Sequence, residues 1–166
     1  ITGGLGYIGT ELCKIYSGVS WSHKITVIDN RFISERVNQL RNWNIDFVHG
    51  DILDKSLINK YCKDADIVHH LAGITDVPRV KKDSNDSIDN QIILVGEKGT
   101  QNILDVISDK CKIIFPSTHV VYEGLDKVKN DINEEEETKP VLSYAISKSN
   151  NEKQLKESGK NYIILR

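Results

Sequence analysis

The feature that most constrains this chain is a glycine-rich turn in its first nine residues. They read ITGGLGYIG, so that Gly3, Gly6 and Gly9 give GxxGxxG, and Gly4, Gly6 and Gly9 give GxGxxG. Ile1 and Thr2 are typical of the end of a strand, and the residues from position 7 onward predict a helix. Such a turn exposes backbone N–H groups beside the positive end of the helix dipole, where a pyrophosphate fits. The same spacing also occurs in ordinary tight turns, so the pattern alone does not decide between them.

An acidic residue stands at the distance from this turn that a dinucleotide site requires. Residues 24–28 predict a short β-branched strand, and Asp29 follows it, 20 residues after Gly9. A carboxylate there accepts a hydrogen bond from the adenosine ribose 2′-hydroxyl and repels a 2′-phosphate. NAD is therefore favoured over NADP. Two alternatives stay open: Arg31 could accept the phosphate, and Asp29 could be an ordinary aspartate at a strand end.

Composition excludes several classes of protein. The 166 residues suit one domain, and the net charge of −2 with no basic block argues against nucleic-acid binding. The longest apolar runs fall short of the roughly 20 residues that a membrane span needs, and no signal peptide is recognisable. The chain begins with Ile and ends on a predicted strand, so we expect a domain over residues 1–166 that is clipped at both ends.

The cysteines and paired histidines predict structural roles rather than a metal site. Cys13, Cys62 and Cys111 are scattered and odd in number, which is typical of reduced, packed thiols in a cytoplasmic protein. His69 and His70 lie in an apolar predicted strand, where hydrogen-bonded structural histidines are expected. No metal ligands are therefore predicted.

Strands and helices alternate six times along the chain. This alternation predicts an α/β fold with a doubly wound parallel sheet of strand order 3-2-1-4-5-6, in three αβα layers. Ligands bind such sheets at the carboxyl ends of the strands. The first helix is predicted to have Ile8, Leu12 and Ile15 on one apolar face, and a long helix is predicted from about Gln91 to Ser108.

Four polar side chains fall near the predicted ligand edge. Ser117 and Thr118 follow the fifth strand, and Tyr144 and Lys148 stand at i and i+4 on a predicted helix. Side chains at that spacing share a helix face about 6 Å apart, where Coulomb attraction lowers a phenol pKa by roughly two units at an effective dielectric of about 20. Such a tyrosine could act as a general base near neutral pH. An ordinary amphipathic helix also brings Tyr and Lys to this spacing by chance.

Together these motifs resemble a known family. The chain resembles, over its whole length, the extended short-chain dehydrogenase/reductases, and within them the NAD-dependent sugar epimerase/dehydratase group of the UDP-glucose 4-epimerase type. The resemblance rests on Thr2 to Gly9, Asp29-Asn30, Gly50-Asp51-Ile52, Leu71-Ala72-Gly73, Gly99-Thr100, Ser117-Thr118 with Val121-Tyr122, Pro140 before Tyr144-Ala145-Ile146-Ser147-Lys148, and Glu152.

The resemblance implies a role for each matching residue. Cofactor contacts are implied for Gly3, Gly6, Tyr7, Ile8, Gly9, Asp29, Asn30, Asp51, Ile52, Leu71, Ala72, Gly73, Tyr144 and Lys148. Tyr144 would remove a proton from the substrate hydroxyl, Lys148 would lower the pKa of Tyr144, and Thr118 would hydrogen-bond that hydroxyl. Glu123 stands where the family usually has glycine, and Val95 and Gly96 stand where it usually has asparagine.

The resemblance also implies a function and partners. It implies the NAD-binding part of a nucleotide-sugar epimerase or dehydratase in a cytoplasmic homodimer, without the family's substrate-binding lobe and so of poor activity alone. Two other functions stay open. The chain could belong to a related NAD(P)-dependent reductase of small carbonyl or steroid-like substrates, or it could be a non-catalytic, NAD-sensing protein.

Overall fold

Residues 1–75, 85–126 and 129–166, as described by a computed structural model, alternate between helices and strands. In chain order they form α1 (Tyr7–Tyr16), β1 (Thr26–Asp29), α2 (Ser34–Asn42), β2 (Asp46–His49), α3 (Lys55–Cys62), β3 (Ile67–His69), α4 (Asp86–Val106), β4 (Lys112–Pro116), a short 3-10 helix (His119–Tyr122), α5 (Ser143–Glu157) and β5 (Asn161–Leu165). The predicted α/β alternation is therefore confirmed.

The strands form two parallel groups that are joined through one residue. β1 pairs with β2, and β4 lies between β3 and β5. Thr2 bridges Ile28 of β1 on one side and His70, directly after β3, on the other. The resulting order is β2, β1, Thr2, β3, β4, β5. With Thr2 counted as the first strand, this is the predicted order 3-2-1-4-5-6.

Apolar side chains cover both faces of the sheet, because neighbouring residues of a strand point to opposite sides. Val27 belongs to one buried cluster and Ile28 to the other. The Val27 cluster is formed with Leu5, Cys13, Val37, Leu40 and Ile45, which brings in α1 and α2. The Ile28 cluster includes Ile58, Ile103, Phe115 and Leu155, which brings in α3, α4, β4 and α5. Helices thus lie on both faces, as the predicted three-layer arrangement requires.

The face of α1 that meets the sheet differs from the predicted apolar face. Ile8 is 61% exposed and Ile15 is 74% exposed, whereas Gly9 and Cys13 are buried. A Cβ added at Gly9 would lie 2.6 Å from both the carbonyl oxygen of Gly3 and the Cα of Gly4. The backbone of α1 therefore rests directly on the glycine turn, and this contact turns the isoleucine face outward. The apolar face predicted for Ile8, Leu12 and Ile15 is therefore not the buried face of α1.

The long helix α4 begins earlier than predicted, at Asp86 instead of Gln91. Its N-cap is Asn85, whose side-chain oxygen accepts hydrogen bonds from the N–H groups of Ser87 and Ile88 at 3.0 and 3.4 Å. An asparagine cap satisfies amides that would otherwise have no partner in the first turn. Residues 86–90, which are mostly polar, therefore belong to the helix.

A buried polar chain crosses the sheet at Thr2. The ring of His70 contacts the hydroxyl of Thr2 at 2.8 Å through Nδ1 and the hydroxyl of Thr100 at 3.1 Å through Nε2. Burial, with a smaller effect from the Lys148 charge, lowers the pKa of His70 to about 3. The imidazole is therefore neutral at physiological pH and links the sheet to α4. Its neighbour His69 contacts the Tyr16 hydroxyl at 2.8 Å.

The described residues include neither a membrane-spanning helix nor a cluster of metal ligands. None of the helices in the described ranges combines the length and apolar character needed to cross a bilayer. Within residues 1–75, 85–126 and 129–166, no group of three or more His, Cys, Asp or Glu side chains is arranged to hold a metal ion. The three cysteines are buried free thiols.

Candidate functional site

A cavity of about 610 Å³ opens at the carboxyl ends of the strands. Its walls include every residue that the sequence predicted as a cofactor contact: Gly3, Gly6, Tyr7, Ile8, Gly9, Asp29, Asn30, Asp51, Ile52, Leu71, Ala72, Gly73, Tyr144 and Lys148. The walls also include Ile28, Arg31, Gly50, Ile74, Thr75, Val95, Pro116 and Ser117. One cavity therefore joins the glycine turn to the tyrosine and lysine of α5, although the contacts themselves remain predictions.

The glycine turn is built by close backbone contacts. Gly3 has φ = +68°, and a Cβ added there would lie 2.6 Å from the backbone nitrogen of Ala72. Gly6 is the N-cap of α1 and its carbonyl accepts the Thr10 N–H. Because glycine has no side chain, it cannot cap the amides of the first turn, and these remain available to a ligand in the cavity.

Asp29 is attached to the glycine turn as well as lining the cavity. Its Oδ2 accepts a hydrogen bond from the N–H of Leu5 at 2.9 Å, and its Oδ1 accepts one from the N–H of Arg31 at 3.0 Å. The residue is only 6% exposed. The Arg31 guanidinium lies 3.5 Å from Oδ1, with its own side chain 58% exposed. The carboxylate thus fixes the turn against the end of β1, a second role that the sequence did not reveal.

Asn30 and Asp51 connect the ends of β1 and β2. The amide of Asn30 donates to Oδ2 of Asp51 at 3.0 Å, and Oδ1 of Asp51 accepts the N–H of Leu53 at 2.9 Å. Ile52, the next residue, is buried at 5% exposure and belongs to the core under the cavity. Asp51 and Ile52, two of the predicted cofactor contacts, therefore lie where the ends of β1 and β2 are joined by a hydrogen bond.

Lys148 is held against the end of β4. Its ammonium donates to the carbonyl of Pro116 at 2.8 Å and lies 4.3 Å from the centre of the Phe115 ring and 5.9 Å from that of the Tyr144 ring. Burial lowers the pKa of Lys148 to about 8. A carbonyl and an aromatic face compensate part of the cost of burying this charge.

The pKa of Tyr144 differs from the sequence-based prediction. Burial raises the pKa of the phenol above its ordinary value of 10, whereas attraction to Lys148 was expected to lower it. The physical reason is burial: the Tyr144 phenol is half buried, which disfavours the charged phenolate. The prediction of a lowered Tyr144 pKa was wrong.

The hydroxyls after β4 are held in different ways. Ser117 lines the cavity and donates from Oγ to Oε1 of Glu152 at 2.5 Å. The Thr118 hydroxyl accepts the N–H of Val120 at 3.2 Å and so caps the short 3-10 helix. Thr118 therefore stands one residue beyond the hydroxyl that lines the cavity, and its predicted contact with a substrate remains a prediction.

A buried ion pair supports Ser117, and sequence reasoning did not identify it. Nη2 of Arg166 donates to Oε2 of Glu152 at 2.5 Å, and the two side chains are 9% and 3% exposed. Arg166 also donates to the Tyr122 hydroxyl and to the carbonyl of Glu134. Burial opposes ionisation of Glu152, but hydrogen bonds from Arg166 and Ser117 outweigh it, so that its pKa lies below the usual value. Glu152 entered the sequence analysis only as part of the resemblance, and no local spacing links it to Arg166.

Replacing Lys148 by methionine is expected to alter the pH dependence of the free energy of unfolding. Because the lysine pKa falls from 10.5 to about 8 on folding, the unfolded chain binds the extra proton between those pH values. Between pH 8 and 10.5 the free energy of unfolding therefore rises with pH by about 1.4 kcal/mol per pH unit because of this lysine, and falls again as the pH is lowered. In urea unfolding at pH values from 7 to 10.5, the free energy of unfolding of the wild type should increase relative to that of K148M.

The matched control for this measurement is Lys153→Met on the same helix. The Lys153 side chain is 72% exposed, so K153M is expected to keep the pH slope of the wild type. Parallel slopes for K148M and the wild type would contradict a lowered lysine pKa.

The whole chain matches a known protein family. The model of the NAD dependent epimerase/dehydratase family matches residues 1–166. The UDP-N-acetyl-alpha-D-glucosaminuronate decarboxylase of Bacillus cytotoxicus is 33% identical over 124 residues, covering 74% of this chain and 36% of the relative. The dTDP-D-glucose 4,6-dehydratase of Dictyostelium discoideum is 32% identical over 166 residues, covering 90% of this chain and 37% of the relative.

A solved structure extends this similarity to three dimensions. The UDP-glucose 4-epimerase of Brucella ovis, crystallised in complex with NAD, matches with a TM-score of 0.79 and 26% identity. The match covers 99% of this chain and 50% of the epimerase. The chain thus spans about half of that structure and less than two-fifths of the two curated relatives.

Proposed function

Because the chain belongs to the NAD-dependent epimerase/dehydratase family, we propose that it forms the NAD-binding part of an enzyme that oxidises a nucleotide sugar. The observation that carries this proposal is the single cavity that has the glycine turn and the Tyr144–Lys148 pair in its walls. The relatives named above carry the names of nucleotide-sugar enzymes, which supports this class of substrate. They differ in reaction, so the proposal specifies the oxidation step and not the final product.

NAD fits the residues that line the cavity. The first-turn amides of Tyr7 and Ile8 would bind the diphosphate, because Gly6 leaves the helix N-terminus uncapped by a side chain. Asp29 and Asn30 would hold the adenosine ribose, and Asp51 with Ile52 would flank adenine. The close contact of Gly3 with Ala72 supports this assignment, since any larger residue at position 3 would displace the backbone of the glycine turn that lines the cavity.

The residues of α5 would handle the proton of the reaction. NAD, when bound, supplies a hydride acceptor with a positively charged ring. Tyr144 would take the proton of the substrate hydroxyl as a general base, with the Thr118 hydroxyl as hydrogen-bond partner of that substrate group. Lys148 remains mainly protonated at pH 7, since its pKa is about 8, and its charge favours the phenolate. A further positive charge beside the phenol opposes the effect of burial on the Tyr144 pKa.

The assembly and location of the protein belong to the same proposal. The resemblance implies a homodimer and a cytoplasmic enzyme whose substrate-binding lobe lies outside residues 1–166. The chain's limited share of its relatives' length supports a role as one part of a catalyst. On this basis residues 1–166 alone would bind NAD more readily than they would turn over a sugar.

The test is a calorimetric titration of the full-length gene product with NAD and with NADP, followed by a hydride-transfer assay with UDP- and dTDP-sugars. We expect NAD to bind at least about tenfold more tightly than NADP, because Asp29 repels a 2′-phosphate. Gly9→Ala is expected to abolish NAD binding, since its Cβ would lie 2.6 Å from the Gly3 carbonyl oxygen. Gly18→Ala is the matched control, because an added Cβ there meets nothing nearer than 3.8 Å.

The possible outcomes separate the alternatives. Tight NAD binding without hydride transfer to any sugar nucleotide would favour an NAD-sensing protein, and hydride transfer with small carbonyl compounds would favour a reductase. A preference for NADP would indicate that Arg31 binds the 2′-phosphate. Failure to bind either dinucleotide in a folded protein would overturn the proposal.

A further inference from the structure

One carboxylate reaches from the loop after the 3-10 helix to the beginning of α5. Oε1 of Glu123 accepts hydrogen bonds from the N–H of Val141 at 2.7 Å and from the N–H of Leu142 at 2.6 Å. Leu142 is the N-cap residue of α5, and Tyr144 follows two positions later. Glu123 therefore contacts the backbone from which the Tyr144 helix starts.

The start of α5 lacks the usual local means of stabilisation. Leucine at the N-cap has no side-chain oxygen, and residues 143–146, all of which the structure describes, include no acidic side chain. Helices normally take an acceptor at the N-cap and negative charge near the first turn. The Glu123 carboxylate, from a distant part of the chain, places a negative charge at this helix end and accepts the N–H of the N-cap residue Leu142 and of Val141 before it.

The same glutamate ends the short helix that Thr118 begins. The Thr118 hydroxyl accepts the N–H of Val120 at 3.2 Å, and the N–H of Glu123 donates to the carbonyl of Val120 at 3.0 Å. Glu123 is the C-cap residue of this 3-10 helix. One side chain thus connects the turn that carries Thr118 to the helix that carries Tyr144.

Backbone hydrogen bonds hold the two segments together at the same place. The N–H of Lys139 donates to the carbonyl of Val121 at 2.8 Å, and the N–H of Gly124 donates to the carbonyl of Lys139 at 2.8 Å. A Cβ added at Gly124 would lie 2.5 Å from that Lys139 oxygen, so the segments are in close contact. The bonds from Glu123 extend this pairing by two residues, up to the first turn of α5.

We propose that Glu123 is a positioning residue that sets the location of Tyr144 relative to Thr118. This inference rests on the proposed function, since it concerns the two residues assigned there to the substrate hydroxyl. Proton transfer depends steeply on the distance between donor and acceptor, and displacements of about 1 Å can lower rates by about 100-fold. A glutamate that holds both elements in register affects kcat without itself touching substrate or cofactor.

The variants Glu123→Gln and Glu123→Met separate hydrogen bonding from charge. Both recorded bonds end on the same oxygen, so the carbonyl oxygen of glutamine can accept both, whereas methionine has a similar length and no oxygen acceptor. In the full-length protein, we expect E123M to lower kcat by about tenfold and E123Q by about twofold or less. The NAD dissociation constant should change less than kcat in both variants, because most of the predicted NAD contacts lie outside α5. Glu135→Gln, another exposed glutamate of the following loop, is the control for surface charge.

A second measurement does not depend on activity. Amide hydrogen exchange of Val141 and Leu142, followed by NMR, should show protection in the wild type and in E123Q, and its loss in E123M. The exchange result is needed because a wild type without hydride transfer would disprove the proposed function and not the contact itself.

The results decide the proposal in either direction. Loss of protection with a lower kcat in E123M, and rescue of both by glutamine, supports a positioning role. Equal protection in all variants, or loss of protection in E123M with kcat unchanged in an active wild type, overturns it. An equal fall in kcat for E123Q and E123M also overturns it, because the charge and not the hydrogen bonds would then matter.

Discussion

Replacement of Tyr144 by phenylalanine should lower kcat for hydride transfer by about 10² to 10⁴ while the protein stays folded and binds NAD. The phenol oxygen is the group assigned to accept the substrate proton, and phenylalanine removes that oxygen alone. The ring itself, which lies 5.9 Å from the Lys148 ammonium, remains in place. One lost hydrogen bond accounts for about 0.5–1.5 kcal/mol, so NAD affinity should change by about tenfold or less.

The measurement is single-turnover reduction of NAD by the full-length protein at saturating sugar nucleotide. Tyr162→Phe serves as the matched control, because that tyrosine is on β5 with 37% of its surface exposed. Near-normal kcat in Y144F would assign the proton to another group, and the Ser117 hydroxyl in the cavity wall would be the next candidate.

The second large effect is expected at the buried pair of Glu152 and Arg166. Removing Glu152 leaves Arg166, with 9% of its side chain exposed, without this counter-ion, and removing Arg166 leaves Glu152, with 3% exposed, paired only with Lys156 at 3.5 Å. Breaking such a pair costs about 3–5 kcal/mol of unfolding free energy. For a domain of this size the midpoint of thermal unfolding should fall by about 10 °C. The Glu152 carboxylate also accepts a hydrogen bond from the Ser117 hydroxyl, so E152A should in addition release this side chain of the cavity wall.

A double-mutant cycle separates the pair from its surroundings. E152A, R166A and the double variant should give a coupling energy of about 1–3 kcal/mol in urea unfolding. The pair of Lys153 and Glu157 on the same helix is the control, at 3.9 Å with side chains 72% and 66% exposed. Its coupling should be below about 0.5 kcal/mol. Similar values for both pairs would contradict a structural role for Arg166.

The order of strands was predictable because it follows from alternation and from a fixed chirality of connection. Each segment with period-two or continuous apolar character preceded a helix, and right-handed crossovers then leave few possible orders. The walls of the cavity were predictable for a related reason. Carboxyl ends of parallel strands meet at one edge, so Asp29, Asp51 and Ala72 had to lie near one another and near the glycine turn.

The features that were not predictable depend on tertiary contacts. Periodicity identifies an apolar stripe on α1 but not which side meets the sheet, and here the backbone contact at Gly9 decides it. The Tyr144 pKa was predicted from one charge at one distance, whereas burial of the phenol raises it. The partners Glu152 and Arg166 are 14 residues apart on different elements, and no local spacing indicates that they meet.

Tyr144, Lys148 and Glu152 follow one another at four-residue intervals along α5. The hydrogen-bonded backbone of one helix spaces their Cα atoms about 6 Å apart along its axis. A substitution that shifts or rotates α5 as a whole therefore displaces all three residues together. Such a substitution, even far from the cavity, should weaken both proton abstraction by Tyr144 and the hydrogen bond between Ser117 and Glu152. A second substitution that returns α5 to its position should restore both.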